Sequence, residues 1–310
     1  MVAVLMSTYN GSAFLKEQLD SILNQSHSDF VLYIRDDGST DDTCDLIREY
    51  TDPRIRFSQG ENLGPSDSFF RLIGEAADAD YLFFSDQDDV WYPDKLETML
   101  AQIKKYDDTP AMVFSDFAMI DETGRKTHNS FYGYASVSLA GGAVGVEKIL
   151  AHPFVFGCAS VINRKLAEYV QNPPAGIEMH DCWIALSAAA IGRLVYMPVQ
   201  TIAHRFHSSN ATGRKGQANL LTRLKRVTAG FSAQAENSAL RLHQVTLLLT
   251  AYDQQLLPEA ARMLRDLSEA MATGKLSAVR ALHRYGITRQ GKANTMFFYM
   301  TVMGIKGEIQ

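Results

Sequence analysis

Apolar residues along the first hundred positions switch repeatedly between two spacings. "VAVLMS" (2–7) is a short continuous apolar run suited to a buried strand. From Ser12 to Gln25, Phe14, Leu15, Leu19, Ile22 and Leu23 recur at helical spacing. "FVLYIRD" (30–36) predicts the next strand, which stops at the turn formers "DDGST". Ser39 followed by Asp42 predicts a capping box that opens a helix through Tyr50. "RIRFSQ" predicts a short strand, "SDSFFRLIGEAAD" a helix capped by Ser66 or Asp67, and "YLFFS" (81–85) another buried strand. Pro93 falls where a first helical turn tolerates proline, with Leu96, Met99, Leu100 and Ile103 on one face. Strands separated by helices imply an α/β fold with a mainly parallel sheet covered on both faces.

The middle of the chain is more mixed. "AMVFSDFAMIDETGRK" reads as a strand and a turn, and "FVFGCASVINRKLAEYV" as a strand followed by a helix. "HDCWIALSAAAIG" has helical character, and two short strands, "LVYMP" and "QTIAHRF", follow it. After about residue 215 the strand pattern stops. Helical segments near 217–231, 234–254, 258–272, 275–284 and 293–303 predict a C-terminal bundle. The expected division is therefore an α/β domain over 1–215 and a helical extension over 216–310.

Composition narrows the class without naming a chemistry. The chain has 310 residues, 46% hydrophobic and 21% charged, which is ordinary for a soluble globular protein. Three cysteines, none in a C-x-x-C, support neither a disulfide framework nor a zinc knuckle, and a reducing, cytoplasmic setting is expected. The start "MVAVLMSTYN" lacks a basic leader, and no apolar run approaches the roughly 20 residues of a membrane-spanning helix. Charge is unevenly spread: residues 1–100 hold 20 acidic against 7 basic side chains, while the remainder holds 15 against 23. An acidic half suits a metal and a basic half suits an anion or an anionic surface.

Three polar clusters fall at predicted strand ends: "STYN" (7–10), "RDDGST" (35–40) and "SDQDD" (85–89). Ligands of open α/β sheets bind at the carboxyl ends of strands, so three such clusters point to one cleft. The first strand leads into "STYNGS" rather than G-x-G-x-x-G, which argues against a nicotinamide cofactor. A partial P-loop, "GITRQGKA" (286–293), lacks its final Ser/Thr and follows no buried strand. Asp86 and Asp88 lie two apart, so an extended backbone points both to one side. Hard divalent cations take few carboxylates together with phosphate oxygens and water, and a strand-end D-x-D suits a metal completed by a diphosphate. The same acids, with Asp89, can instead cap the helix expected at Pro93.

"VLMSTYNGSAFLKEQLDSILNQS", "YIRDDGSTDDT", "ENLG" and "YLFFSDQDDVWYPDKL", in this order, resemble the family 2 inverting glycosyltransferases with the GT-A fold, a Rossmann-like mixed sheet. "SDQDDVW", "HDCW" and "HRFHSSNATG" look most like the bacterial rhamnosyltransferase-like branch that builds O-antigen and capsule polysaccharides. The resemblance is close over about the first 100 residues and looser to about 215. It implies transfer of a sugar, with L-rhamnose from dTDP-rhamnose one candidate, from a dTDP- or UDP-sugar to a saccharide or polyprenyl-linked acceptor. No nucleic acid partner is implied.

Carried over residue by residue, the resemblance gives Ser7, Thr8, Tyr9 and Asp36 to the nucleotide, with Asp36 accepting from the pyrimidine ring. It puts Asp86 near the ribose or metal and makes Asp88 the main ligand of Mg²⁺ or Mn²⁺. Asp181 in "HDCW" matches the general base, where relatives more often show Glu-Asp, so His180 stands in place of the usual Glu. Arg205 is implied at the diphosphate and His207 at the metal. His204 and His207, three apart on a strand-like segment, point to opposite faces, so a two-His site is not expected. Trp91 and Trp183 each follow a key acid and are candidates, with His180, to contact the acceptor; core packing is the alternative. Leu220, Leu221, Leu224, Val227 and Phe231, interleaved with Arg223, Lys225 and Arg226, form a basic amphipathic pattern. It fits either peripheral contact with the inner face of an anionic membrane or docking on the domain. Two other classes compete: a metal-dependent nucleotidyltransferase or hydrolase, and a catalytically silent carbohydrate-binding protein.

Overall fold

The computed structural model describes residues 1–207, 220–289 and 291–305, the side chains of 220–230 and of 232 excepted. The chain opens with β1 (Val2–Thr8), α1 (Ser12–Leu23), β2 (Val31–Asp36), α2 (Thr43–Arg48), β3 (Ile55–Gln59), α3 (Pro65–Glu75) and β4 (Tyr81–Ser85). It continues through β5 (Val90–Trp91), α4 (Lys95–Ile103), β6 (Ala111–Ile120), β7 (Lys126–His128), α5 (Phe131–Tyr134), β8 (Gly142–Ala143) and α6 (Val146–Ala151). Then come β9 (Ser160–Asn163), α7 (Arg164–Val170), α8 (His180–Ile191) and β10 (Arg193–Arg205). Four helices close the chain: α9 (Leu220–Tyr252), α10 (Pro258–Thr273), α11 (Lys275–Arg284) and α12 (Lys292–Met303).

One sheet runs in the order β3-β2-β1-β4-β9-β6-β10-β5, with β7 on β6 and β8 on β10. The first four strands are mutually parallel, as the strand–helix alternation predicts. β9 enters antiparallel between β4 and β6, and β6 pairs parallel with β10. The sheet is therefore mixed, the arrangement of the GT-A fold. Alternation along β1 sorts its side chains between two apolar layers. Ala3 and Leu5 face the layer of α3 and α8, while Val4 and Met6 face α1 and α4.

Several element limits differ from expectation. "LVYMP" and "QTIAHRF" are one strand, β10, interrupted by register shifts between Met197 and Ala203. The helices expected at 217–231 and 234–254 are one helix of 33 residues, α9. Ser39 caps no helix, because its hydroxyl and amide are taken by Asp36. Pro93 precedes α4, which starts at Lys95. The boundary expected at 215/216 lies outside the described residues. Beyond it, Leu242, Val245 and Leu248 of α9 join the same apolar cluster as Trp183 and Ile184 of α8. The C-terminal helices are thus docked on the sheet's helical layer. Among the described residues, no helix is long and apolar enough to cross a membrane.

Candidate active site

Parallel pairing of β1 with β2 and β4 puts Thr8 beside Asp36, and Met6 beside Ser85. The three polar clusters therefore lie next to one another at the carboxyl edge. Asp36 is buried and closes the first two loops upon each other: it accepts from Thr8 Oγ1 at 3.0 Å, from the Gly38 and Ser39 amides at 3.1 and 2.9 Å, and from the Ser39 hydroxyl. Burial raises its carboxyl, but the bonds from Ser39, Cys44 and Thr8 outweigh that and hold it below the usual range. The turn needs Gly38 at φ +83°, a conformation that side chains with a Cβ disfavour. Asp37 pairs with Arg35 and accepts the Leu63 and Gly64 amides at 3.0 and 2.8 Å, fastening "ENLG" to the end of β2.

Tyr9 is bracketed by a residue that sequence reasoning did not single out. Its amide donates to Gln87 Oε1 at 2.8 Å, and Gln87 Nε2 donates back to the Tyr9 carbonyl at 3.0 Å. Gln87 is the middle residue of D-x-D, so these two bonds tie the acidic loop to the first loop. The Tyr9 ring is 48% exposed and free to stack on a planar ligand. Ser7 instead turns to Ser68 Oγ at 2.8 Å.

The four acids of "SDQDDVWYPD" separate into distinct environments. Asp88 lies with Oδ2 2.7 Å from His207 Nε2. Asp89 is fully buried, with Oδ1 2.7 Å from His204 Nδ1 and accepting the Arg205 amide at 3.1 Å. Its Oδ2 is buried without a partner. Asp86, half-buried, is pushed up to about 7 by burial and by the charges of Asp89 and Asp88. Burial and Asp89 also raise Asp88, against the opposing His207 bond. Asp89 goes the other way: burial raises it, but the His204 charge and hydrogen bond prevail and hold it low. For His204 burial acts downward, yet Asp89 carries it up to about 9, an imidazolium. Asp94 takes no part and precedes α4 as its flanking residue.

Asp181 sits in the first turn of α8, where the helix N-terminus favours a carboxylate. Its Oδ1 accepts the Cys182 amide at 2.7 Å and its Oδ2 the Gly157 amide at 3.3 Å. After burial and the nearer acids, its charge also adds to the upward push on Asp86. The tight turn 157–159 connects them. The Cys158 carbonyl accepts from Lys95 Nζ, a fully buried ammonium 3.5 Å from the Trp91 ring centroid. Burial lowers Lys95 to about 7, with the charges of Cys158, Asp89 and Asp86 opposing.

Three expected acceptor contacts are corrected by burial. Trp183 is 0% exposed and stacks on Tyr252 of α9 at 5.7 Å between ring centroids. Trp91 is buried against Lys95 and Phe83. His180 stacks on Phe69 at 4.3 Å, with its imidazole lowered by burial and so neutral. Apolar layers claim all three, because each lies on an inward-facing position of its element. Arg205 is also internal: it donates to the Asp88 carbonyl at 2.9 Å and to the carbonyls of Asp121 and Glu122, and reaches exposed Glu17 at 2.6 Å. A phosphate contact would have to exchange the Glu17 bond. Likewise, a base contact at Asp36 would replace one of its loop bonds.

Among the described residues, Asp86, Asp89, Cys158 and His204 bring ligand atoms within 4.8 Å of one another. There His204 is held by Asp89, and burial pushes the Cys158 thiol well above its ordinary value. Asp88 is not in that group and has its Oδ2 against His207 Nε2. Carboxylate oxygens of this kind suit Mg²⁺ or Mn²⁺.

Residues 3–182 match the model of glycosyl transferase family 2. The chain belongs to that family. Among its relatives, the dTDP-rhamnosyl transferase RfbG of Shigella flexneri is 37% identical over 105 residues, 31% of this chain and 35% of that protein. An uncharacterized glycosyltransferase of Rickettsia felis is 31% identical over 193 residues, 61% of this chain and 30% of that one. The chain thus spans about a third of the length of these curated relatives. S. aureus TarS 1–349 in complex with UDP-GlcNAc aligns with TM-score 0.60 at 15% identity, covering 98% of this chain and 90% of that one. The mannosyltransferase PcManGT of Pyrobaculum calidifontis, with GDP-Man and Mn²⁺, aligns with TM-score 0.55 at 19% identity, covering 98% and 86%. These likenesses show the family 2 chain to have the GT-A fold.

Proposed function

We propose that this family 2 protein is a metal-dependent inverting glycosyltransferase. The observation that supports the reading is the turn at 157–158: the Gly157 amide donates to Asp181, and the neighbouring Cys158 has its Sγ within 4.8 Å of an Asp86 carboxylate oxygen. The nucleotide base would lie against Tyr9, beside Ser7 and the loop that Thr8 and Asp36 close. Asp88, assisted by Asp86 and His207, would hold Mg²⁺ or Mn²⁺; when bound, the ion serves as Lewis acid to the departing diphosphate. Asp181 takes the proton of an acceptor hydroxyl as that oxygen bonds to the anomeric carbon. The bond from that carbon to the diphosphate breaks on the opposite face, so configuration inverts. Arg205 braces the Asp88 backbone and offers its Glu17-bound nitrogen to phosphate.

The donor we propose is dTDP-rhamnose, supported by the 37% identity to a dTDP-rhamnosyl transferase over a third of the chain. UDP- or GDP-sugars, bound in similarly folded proteins, are the competing donors. The acceptor would be a saccharide, free or polyprenyl-linked, in synthesis of a bacterial surface polysaccharide. The work would be done in the cytoplasm, at the inner face of the membrane where such acceptors lie. Thermal-shift measurement with dTDP-, UDP- and GDP-sugars, with and without Mn²⁺, tests the donor. Acceptor-dependent release of nucleoside diphosphate tests the reaction. Stabilisation by dTDP-rhamnose with Mn²⁺, followed by transfer to a saccharide, is expected. Release of pyrophosphate, or of free sugar without acceptor, would instead make it a nucleotidyltransferase or hydrolase. Binding without turnover on any acceptor would make it a carbohydrate-binding protein.

A further inference from the structure

Among the described residues, the C-terminal helices carry an uncovered apolar surface. α12 is apolar on both sides: Phe298, Thr301 and Val302 are buried against the bundle, while Met296, Met300 and Met303 are 61%, 53% and 46% exposed. An amphipathic helix should turn a polar face outward; this one turns methionines. Together with α11 and Phe231 of α9 it forms an open groove of about 810 Å³ whose rim carries Arg280 and His283. The groove is a built feature: Phe231 rests on Gly304, where a Cβ would fall 2.5 Å from the ring. Apolar surface continues past both shoulders, with Leu276 on α11 and Phe297 on α12 exposed but outside the lining.

Charge says what kind of surface covers this face. From Lys275 to Lys306 the chain has six Lys and Arg and no Asp or Glu. Arg280, Arg284 and Lys292 are exposed within that stretch. A second copy of the same chain, docking face to face, would set Arg280 and His283 against their own equivalents, and like charges oppose that contact. A cation-fringed apolar surface wider than its groove matches the headgroup–acyl boundary of an anionic bilayer, where surface cations are attracted to the headgroups.

We propose that the α11/α12 face is a docking surface for an anionic lipid bilayer. Met296, Met300, Met303 and Phe297 enter the acyl boundary, and Arg280, Arg284 and Lys292 meet the headgroups. This is independent of the glycosyl-transfer reading, because the groove contains none of the cleft residues. It also moves the expected membrane contact from the 220–231 pattern, whose side chains up to residue 230 are not described, to a surface ending at Phe231.

Flotation of the full chain with phosphatidylglycerol/phosphatidylcholine vesicles, and with phosphatidylcholine alone, tests it. The native chain should float with anionic vesicles at low salt, and binding should fall as salt screens the cations. Met300→Glu combined with Met296→Glu, and separately Arg280→Glu with Arg284→Glu, should each weaken binding about 10-fold or more. Melting temperature and nucleotide-sugar binding should stay at the native values in both pairs, which separates this surface from the cleft. Native-level flotation of both pairs would overturn the proposal, as would no flotation of the native chain at low salt. A concentration-dependent dimer abolished by the same substitutions would assign the face to a second copy, and binding of an acidic peptide without vesicle binding would assign it to a protein partner.

Discussion

His204 Nδ1 lies 2.7 Å from Asp89 Oδ1, and neither side chain has more than a trace of solvent contact. The two residues lie far apart in the chain, one after β4 and the other in β10. Their ion pair joins the end of β10 to the loop after β4, directly behind the acid that we propose binds metal. Removing one partner strands the other as a buried charge. Asp89→Ala should therefore destabilise the fold by about 3–5 kcal/mol. The double variant Asp89→Ala/His204→Ala should lose less than the sum of the two single variants. Urea unfolding of the four proteins measures both; additive losses would contradict the pairing.

Asp88→Asn should leave the fold intact, since it removes one negative charge from a mutually repelling group. Metal should be affected instead. Mn²⁺-dependent stabilisation and transfer should both be lost, as read by thermal shift and product formation. A native-sized Mn²⁺ shift in this variant would remove Asp88 from the ligand set.

Asp181→Asn keeps the side-chain shape and one of the two amide bonds, from Cys182 or from Gly157, but cannot take a proton. Turnover should fall about 10²–10⁴-fold with donor affinity little changed. Steady-state kinetics alongside donor binding distinguish this from a collapsed cleft. A loss of donor affinity equal to the loss of turnover would assign Asp181 to binding.

Asp86 makes a pH prediction with a definite sign. Its folded carboxyl is pushed up to about 7 from an ordinary 3.8, so between those values the folded state holds a proton that the unfolded chain does not. Its contribution to stability accordingly falls as pH rises through that window. Without metal, Asp86→Asn should stabilise the protein more at pH 8 than at pH 5. With saturating Mn²⁺ the native chain should gain stability over the variant at pH 8, because a cation favours the ionised carboxylate. Melting temperatures at the two pH values, with and without Mn²⁺, decide this; a difference independent of pH would mean that Asp86 does not titrate there.

Trp183→Ala should cost about 3–5 kcal/mol, because it empties a packed position between α8 and α9. At temperatures where the variant is folded, its KM for acceptor should match the native value. A raised acceptor KM without lost stability would restore the tryptophan to the cleft.

The sequence by itself determined the strand–helix order of the first 105 residues apart from the two-residue β5, the meeting of three polar clusters at one sheet edge, and the family. These are local matters: hydrophobic period, turn residues and short motifs are all read within a few positions. Only the tertiary structure separated Asp88 from Asp89, which are adjacent in sequence and chemically identical. The backbone bends at Gln87 and Asp88 after β4 ends, so that Asp88 meets His207 while Asp89 is buried against His204. The same holds for Trp91, Trp183, His180 and Arg205, whose positions near key acids suggested contact with ligand. Which side of an element faces the core depends on strands and helices far along the chain. No spacing within "HDCW" announces that α9, far along the chain, supplies Tyr252 to cover Trp183. The exposed methionines of α12 were legible as an apolar run, but their lack of cover became visible only when the packing of α9 and α11 around them was known.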